Sequence, residues 1–572
     1  MKLKISGLIL LYFFVFALIY GVLIINPFYT DWCLIRNPRL DVDIPINFLN
    51  GLAFFNSDAP IPFTDNNDYP NTIGVLYADC IPIFAVILKL ILNIFPHEGF
   101  VDFQYAGIWG VLNFILLGLL SFAFIKKFTK TSDLNATLCS LFFVTVPLFL
   151  DRFPRTYACS SVWLILLSFL PFVFREKFSK NSALFFYFLL GLFSAGVHSF
   201  FVPSLFLNLC ALIVYDYFKS KNSLFSVKTA VVYVLGVFLT FFALGGFCNM
   251  EQTAGGYRFF VFNWASFVSP GYAAYGMKSV VFPILNYFPD VYGGCNEGFA
   301  YLGAGIIILV FGIFFYLAKM LPEKKQQEKY CEFLKKYNYE TILFSGLFIV
   351  ILIFASGAKF DFYDYALFER KIPFFENFYS FFVTAGMFIR TNVFIIYFAV
   401  LCFILKTCNK KVATAVIGVC LCIQLIDFSE LFYNLHIDYA LKKEFVSPLK
   451  NVDAWQILAK NKKTCIIYDK DRLHTPATYP IYYWGLQNGL KHNQMVYSRF
   501  GKNENDFVFD KWINPSDDDL FVFLKSQKDD IKKYSSLENC YLLDDYIVCT
   551  KENHSDLNKY KLSNKMEIKQ GR

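Results

Sequence analysis

The 572-residue sequence predicts an α-helical polytopic membrane protein of about eleven transmembrane helices, with a small soluble α/β domain at its C-terminus. Three observations carry this. A mean hydropathy of +0.44, with 56% hydrophobic and only 17% charged residues, lies outside the range of an ordinary soluble enzyme. Apolar runs of bilayer-spanning length recur from Ile5 to about Phe432 and then stop. The connections between them alternate in charge. The stretches 1–4, 126–133, 175–182, 219–228, 319–339 and 406–411 hold 20 Lys and Arg in 57 residues, whereas 26–104, 151–155, 249–298 and 358–380 hold 10 in 157. Short basic loops stay in the cytoplasm. The N-terminus is therefore expected inside, and the long loops and the C-terminal domain on the extracytoplasmic face.

The first run, Ile5–Ile25, is too long for the apolar core of a signal peptide and has no small-x-small cleavage site after it, so it reads as an uncleaved span. The remaining spans are expected at 105–125, 134–150, 156–174, 183–201, 202–218, 229–248, 299–318, 340–357, 384–405 and 412–432. The apolar segment Asp79–Phe95 is left out. Were it to cross, every later loop would invert and the lysine-rich 319–339 stretch would face outward. Asp79, Pro82 and Lys89 suit a helix lying in the interface or re-entering from one side. This gives a transmembrane domain over 1–432, with its first external loop at 26–104 and a second large one at 249–298.

Residues 433–572 carry mixed charge, 22 Lys and Arg against 19 Asp and Glu, as a folded soluble domain does. Thr464–Tyr468, Leu520–Leu524, Cys540–Leu543 and Tyr546–Thr550 have strand character, and the stretch around Val452–Ala459 is helical. The polar tail after about Asn553 is expected to be disordered. The net charge of +8 comes largely from cytoplasmic loops and surface lysines and makes no case for nucleic acid. The 15 cysteines form no CxxC pair. Six inside spans, Cys159 among them, read as small apolar fillers, and Cys540 and Cys549 leave a disulfide open.

Chemistry-bearing residues concentrate at the external loops. The first is rich in acids: Asp31, Asp41, Asp43, Asp58, Asp65, Asp68 and then Asp79. A carboxylate near a span end can draw a proton from a hydroxyl acceptor or hold a divalent cation. The Arg36/Arg39/Asp41/Asp43 cluster is the sharpest such group, although loop acids are most often plain solvated surface. Asp79 differs, because a charge at an apolar segment needs a partner or a function. Arg390 interrupts the apolar stretch Phe381–Leu405, where a guanidinium needs an ion pair or an anionic ligand such as a lipid-linked phosphate. His198 stands near the external end of its span as either a strut or a reactive group. In the second large loop, Gly255-Gly256-Tyr257-Arg258 and Gly293-Gly294-Cys295-Asn296-Glu297-Gly298 offer close backbone approach and charge, or simple turns. No HExxH, CxxC or P-loop pattern argues for zinc, redox or nucleotide chemistry.

Several phrases fall in a recognisable order: Tyr69-Pro70-Asn71, Tyr77-Ala78-Asp79-Cys80-Ile81-Pro82, Val197-His198 with Pro203, Gly255-Gly256-Tyr257, Asn296-Glu297-Gly298-Phe299-Ala300-Tyr301-Leu302-Gly303 and Ile389-Arg390-Thr391-Asn392. Over most of residues 20–430 the chain resembles an uncharacterised bacterial family of multi-span membrane proteins, similar in layout to the GT-C glycosyltransferase superfamily. The resemblance implies an inner-membrane enzyme that transfers a sugar from a polyprenyl-phosphate-linked donor to a cell-envelope glycan, lipid or protein acceptor. It points to Asp41 or Asp43 as the catalytic carboxylate, with Asp79 in the interfacial segment and Arg390 and Arg258 as candidates for the donor phosphate. No cofactor is implied with certainty, and a divalent metal stays open. The chain departs from better-known members in lacking an Asp-Glu pair after the first span and a WWDYG-like motif in its tail. The competing expectations are a lipid-linked glycan polymerase, ligase or transporter, or a non-catalytic surface-assembly protein whose tail binds a partner.

Overall fold

The computed structural model describes residues 5–35, 43–66, 68–94, 99–153, 155–219, 224–248, 250–251, 260–273, 276–287, 295–320, 338–357, 359–381, 384–468, 477–493, 500–501, 515–527 and 539–562. The chain is mostly helical. Among the described residues six helices are long and apolar enough to cross a membrane: Ala106–Thr129, Asp133–Arg152, Lys180–Val197, Phe201–Lys219, Tyr339–Ser356 and Ala385–Thr407. The pair Lys410–Asp427 and Ser429–Ala440, bent by 55°, makes a seventh if it is one span. Ile5–Tyr20, Val227–Ala243 and Ala304–Lys319 are apolar but shorter. The expected count of eleven spanning helices is not confirmed among the described residues.

One expected span is replaced by something else. Residues 156–174 are not a continuous helix but a turn-rich stretch leading into two short helices, Trp163–Ser168 and Leu170–Val173. Sequence polarity explains the break. Ser160 accepts a hydrogen bond from Asn113 at 2.9 Å and Ser161 accepts one from Trp109 at 3.0 Å, so these buried hydroxyls are tied to the neighbouring helix Ala106–Thr129. Pro171, with no N–H to give, sits at the start of the second short helix. The interruption leaves residues 155–162 as irregular backbone inside the protein, where polar groups can be presented.

The two ends of the bundle differ in chemistry. At one end, basic connections are locked by ion pairs: Lys126 with Asp133 at 2.8 Å, Lys127 with Glu176, and Lys219 with Glu340. Arg175 holds both oxygens of the buried Asp216, which also accepts the backbone N–H of Phe225 at 2.8 Å. At the opposite end, Asp427 accepts from Tyr301 Oη at 2.8 Å and from the backbone N–H groups of Val281 and Ala304, both at 3.1 Å, and also from Ser279. One carboxylate thereby ties the end of one helix to the start of another and to the loop 276–287.

The first long loop folds into the helix Asp43–Phe55, a small two-stranded pairing, and the 13-residue helix Pro82–Ile94. The last has inverted polarity. Lys89 points inward and donates to the carbonyls of Phe54 at 2.7 Å and Ser57 at 2.8 Å, while Leu90, Ile91 and Ile94 face outward. A lysine capping the C-terminal carbonyls of one helix suits the negative end of its dipole. The outward aliphatic side chains suit an interfacial position.

The C-terminal region carries a five-stranded mixed sheet in the order Asn539–Leu543, Tyr546–Thr550, Asp519–Leu524, Thr464–Tyr468, Lys491–His492. Its first two pairings are antiparallel and the last two parallel. Cys540 and Cys549 are directly opposed and joined as a disulfide. Order continues past Asn553, against the expectation of a disordered tail from there. Ser555–Tyr560 forms a short helical turn, and the N–H of Leu562 reaches the carbonyl of Cys540 at 2.8 Å. The sheet docks on the first long loop, where Tyr483 donates to Asp102 at 2.7 Å, Lys491 pairs with Asp65, and Tyr69 N–H meets the His492 carbonyl at 2.8 Å.

Candidate functional site

The site forms where four irregular segments meet at the end of the bundle away from the basic connections. Two glycines make the meeting possible. The turn Cys295–Gly298 and the turn Ala385–Ile389 pack backbone against backbone, and a Cβ on Gly386 would stand 2.6 Å from Gly298 Cα. No larger residue fits at this contact without moving one of the turns. The approach carries Glu297 on one turn toward Arg390, which begins the helix Arg390–Thr407 immediately after the other.

Glu297 receives two arginines from a third segment. Arg152 Nη1 is 3.0 Å from one of its oxygens and Arg155 Nη1 is 3.4 Å from the other. Asp151 lies 3.8 Å from Arg152 Nε. All four side chains are buried. Burial by itself raises a carboxyl pKa, but Arg152 and Arg155, with Arg390 further off, outweigh it and hold the Glu297 carboxyl below its ordinary value.

Arg390 is 1% exposed. Its Nη1 donates to the Cys159 carbonyl at 2.9 Å, and its guanidinium lies 5.3 Å from the centre of the Phe200 ring. Its Nε and Nη2 have no hydrogen-bond partner among the described residues, and no carboxylate there comes within ion-pair distance. An arginine with five N–H donors in a fixed fork and only one nitrogen engaged among the described residues is suited to a bidentate anion.

The fourth segment brings Asp79. Its Oδ1 stands 3.5 Å from His198 Nε2, at the turn between the helices Lys180–Val197 and Phe201–Lys219. His198 Nδ1 accepts the N–H of Phe200 at 3.2 Å, which leaves Nε2 to carry the proton toward Asp79. Asp79 and Ile81 both adopt positive φ, 51° and 54°, and the intervening Cys80 carbonyl is held by the Tyr105 hydroxyl. Left-handed backbone at a β-branched residue is a strained arrangement that the surroundings must enforce. Phe200 joins the two halves, its N–H bonded to His198 and its ring facing Arg390, whose other contact is the carbonyl of the buried Cys159.

The sequence-derived candidates thus fare unequally. Arg390, Glu297, Asp79 and His198 sit around this one region: the Gly298–Gly386 contact joins the turns that carry the first two, and Phe200 lies between Arg390 and His198. Asp43 is the first residue of the helix Asp43–Phe55, and its side chain lies outside the described residues, as do Asp41 and Arg258 altogether. Of the other loop acids, Asp65 is engaged by Ser57 and Lys491, Asp68 by Asn71, and Asp58 is exposed. Arg152, Arg155 and Asp151 were not singled out by the sequence; three charges within five residues between two apolar runs was the available signal. Cys159 is not a filler in a span, because the segment that holds it is not a span. Among the described residues no group of three or more His, Cys, Asp and Glu side chains is placed to hold a metal ion.

No curated protein matches the chain in sequence. Among solved structures it is similar to ArnT from Cupriavidus metallidurans bound to undecaprenyl phosphate, with a TM-score of 0.39 and 11% identity over 96% of this chain and 99% of that one. It is also similar to the Archaeoglobus fulgidus oligosaccharyltransferase tethered to an acceptor peptide containing the NVT sequon, with a TM-score of 0.39 and 12% identity over 94% of this chain and 72% of that one. Residues 9–429 match the family described as "Domain of unknown function (DUF6311)", and the chain belongs to that family.

Proposed function

We propose that the protein is an integral-membrane glycosyltransferase that moves a sugar from a polyprenyl-phosphate-linked donor to a cell-envelope acceptor on the extracytoplasmic face. The observation that supports this most directly is Arg390, a buried guanidinium with two N–H-bearing nitrogens unengaged among the described residues. A cation in that state costs several kcal/mol unless an anion completes it. A phosphate ester on a lipid carrier supplies the charge, and its chain can lie against the exposed apolar faces of the spans.

In this reading Arg390, with Arg258 from the second large loop, binds the donor phosphate. As the bond between the anomeric carbon and the phosphate oxygen breaks, the arginines stabilise the charge left on the phosphate. The acceptor hydroxyl oxygen forms the new bond to that carbon, and its proton passes to Asp43 or Asp41 of the first loop. Glu297, Arg152 and Arg155 hold the turn that abuts Arg390. The C-terminal domain, docked on the first loop, helps recognise the acceptor.

The test is ligand-dependent stability of the detergent-solubilised full chain. Undecaprenyl phosphate should raise Tm through linkage, by an amount that grows with its concentration. Arg390→Ala should abolish the shift and Arg390→Lys should reduce it, since a point charge cannot reproduce the bidentate fork. Equal shifts in the wild type and a folded Arg390→Ala variant would remove the arginine from the site. No shift in the wild type would remove the lipid-phosphate donor.

A further inference from the structure

The connection between the helices Asn338–Ser356 and Arg390–Thr407 is built from a two-stranded hairpin and an amphipathic helix. Lys359–Phe362 pairs antiparallel with Tyr365–Glu369, and Pro373–Phe381 follows. The root of the hairpin is fixed. Lys359 and Asp361 are buried together 2.9 Å apart, and Asn263 grips the tip by donating to the Tyr363 carbonyl at 2.9 Å and accepting its N–H at 3.1 Å. The second strand, in contrast, is exposed at all five residues.

What this strand exposes is apolar: Tyr365, Leu367 and Phe368, continued by Phe374. Ile284, 87% exposed, and Tyr287 extend the same surface from the neighbouring loop, where Tyr287 donates to Asp364 at 3.2 Å. Arg370 and Lys371 follow directly, exposed and without a carboxylate partner among the described residues. The surface also continues a lipid-facing one. The Phe374 ring lies 6.4 Å from that of Phe354, in the last turn of Asn338–Ser356, a helix whose Ile349, Val350 and Ile353 are exposed along its apolar length.

We propose that the hairpin and the start of the following helix, with Ile284 and Tyr287, form a docking surface for the bilayer. The apolar side chains reach the headgroup–acyl boundary, and Arg370 and Lys371 lie against the phosphates of anionic phospholipids. Three points select this occupant. The patch is continuous with a spanning helix at the end where that helix leaves the bundle. Aromatic side chains beside an Arg-Lys pair match the chemistry of the membrane interface. Leu367 and Ile284, the most projecting aliphatic side chains, offer nothing for a glycan to hydrogen-bond. The strand Tyr365–Glu369 pairs on its outer edge with no other strand among the described residues, which fits the hydrated headgroup layer and not the hydrocarbon core. Because the segment runs on through Ala385–Ile389 to Arg390, its docking sets the depth of that guanidinium in the membrane. The inference stands whether or not the protein transfers sugars.

The test reconstitutes the full chain in nanodiscs of phosphatidylcholine and phosphatidylglycerol containing a photoactivatable phospholipid. The reactive group is placed either next to the acyl carbonyl or at the acyl terminus, and adducts are mapped by mass spectrometry. The shallow probe should label residues 365–374 and 284–287, and the deep probe should label 342–353 but not the hairpin. Shallow labelling by a phosphatidylglycerol probe should exceed that by a phosphatidylcholine probe, and each charge removed in Arg370→Ala and Lys371→Ala should lower the preference by about fivefold. An unlabelled hairpin beside labelled spans overturns the docking surface, as does labelling by the deep probe. Equal labelling by the two headgroups overturns the contact with anionic lipid.

Discussion

Replacing Glu297 by Gln tests whether the charge cluster is built as described. The carboxylate is 8% exposed and holds Arg152 at 3.0 Å and Arg155 at 3.4 Å, both of them buried. Removing one partner of a buried ion pair costs about 3–5 kcal/mol, because the remaining charge is left without compensation. Asp151 stays 3.8 Å from Arg152 and softens the loss, so the lower end, about 3 kcal/mol, is expected. At about 2 °C per kcal/mol for a large chain, Tm should fall by about 6 °C at pH 7. The pH dependence sharpens the test. The Glu297 carboxyl titrates below its ordinary value in the folded protein, since its arginines outweigh burial. Its contribution is therefore fully present above the carboxyl's unfolded pKa and is lost as pH falls through the lower folded one. The gap between wild type and Glu297→Gln, measured by thermal unfolding in detergent, should close below about pH 4. A gap under about 1 kcal/mol at pH 7, or one that persists unchanged into acid, would refute the assignment of Glu297 as the ionised counter-charge of this cluster.

Three further outcomes follow from the same structure. Gly386→Ala places a Cβ 2.6 Å from Gly298 Cα and 3.1 Å from the Glu297 carbonyl carbon, so unfolding should cost about 1–3 kcal/mol less, and the undecaprenyl phosphate shift should weaken with the Arg390 turn displaced; an unchanged Tm and shift would show that the turns do not abut. Burial depresses His492 to about 3, so its contribution is present above the free imidazole value and lost as pH falls; relative to His492→Leu, the wild type should lose about 2 kcal/mol between pH 7 and pH 5, read by hydrogen exchange at residues 491–493, and parallel pH profiles would contradict a buried neutral ring. Asp43→Asn and Asp41→Asn should each leave the undecaprenyl phosphate shift intact, while one of them abolishes transfer; turnover surviving in both would move the base elsewhere.

How much of this was legible in the sequence depends on what kind of signal each part left. The C-terminal strands were readable because short β-branched and aromatic runs between polar turns have little else to become, and Thr464–Tyr468 and Tyr546–Thr550 appear with the expected bounds. The segment Asp79–Phe95 was set apart from the spans because charge on both sides of it constrained the topology, and its helix Pro82–Ile94 runs for only 13 residues. Hydropathy failed at 156–174, since it averages over a window and cannot see that Ser160 and Ser161 have partners on a neighbouring helix that reward breaking the span. That failure hid the site. Arg152 and Arg155 entered the reading only as two charges in a short loop, counted for orientation, and their meeting with Glu297 spans a separation that no local pattern encodes. The glycine contact between Gly298 and Gly386 is of the same kind: each glycine reads as an ordinary turn residue, and only the fold shows that both are needed at one point. Arg390 stood out for the opposite reason. A guanidinium inside an apolar run is costly in any fold, so its presence was informative before its surroundings were known. Its surroundings then narrow the chemistry. The Phe200 ring lies against the guanidinium, one N–H goes to Cys159, and Glu297 is held by two other arginines, which leaves Nε and Nη2 of Arg390, unengaged among the described residues, for the anion proposed above.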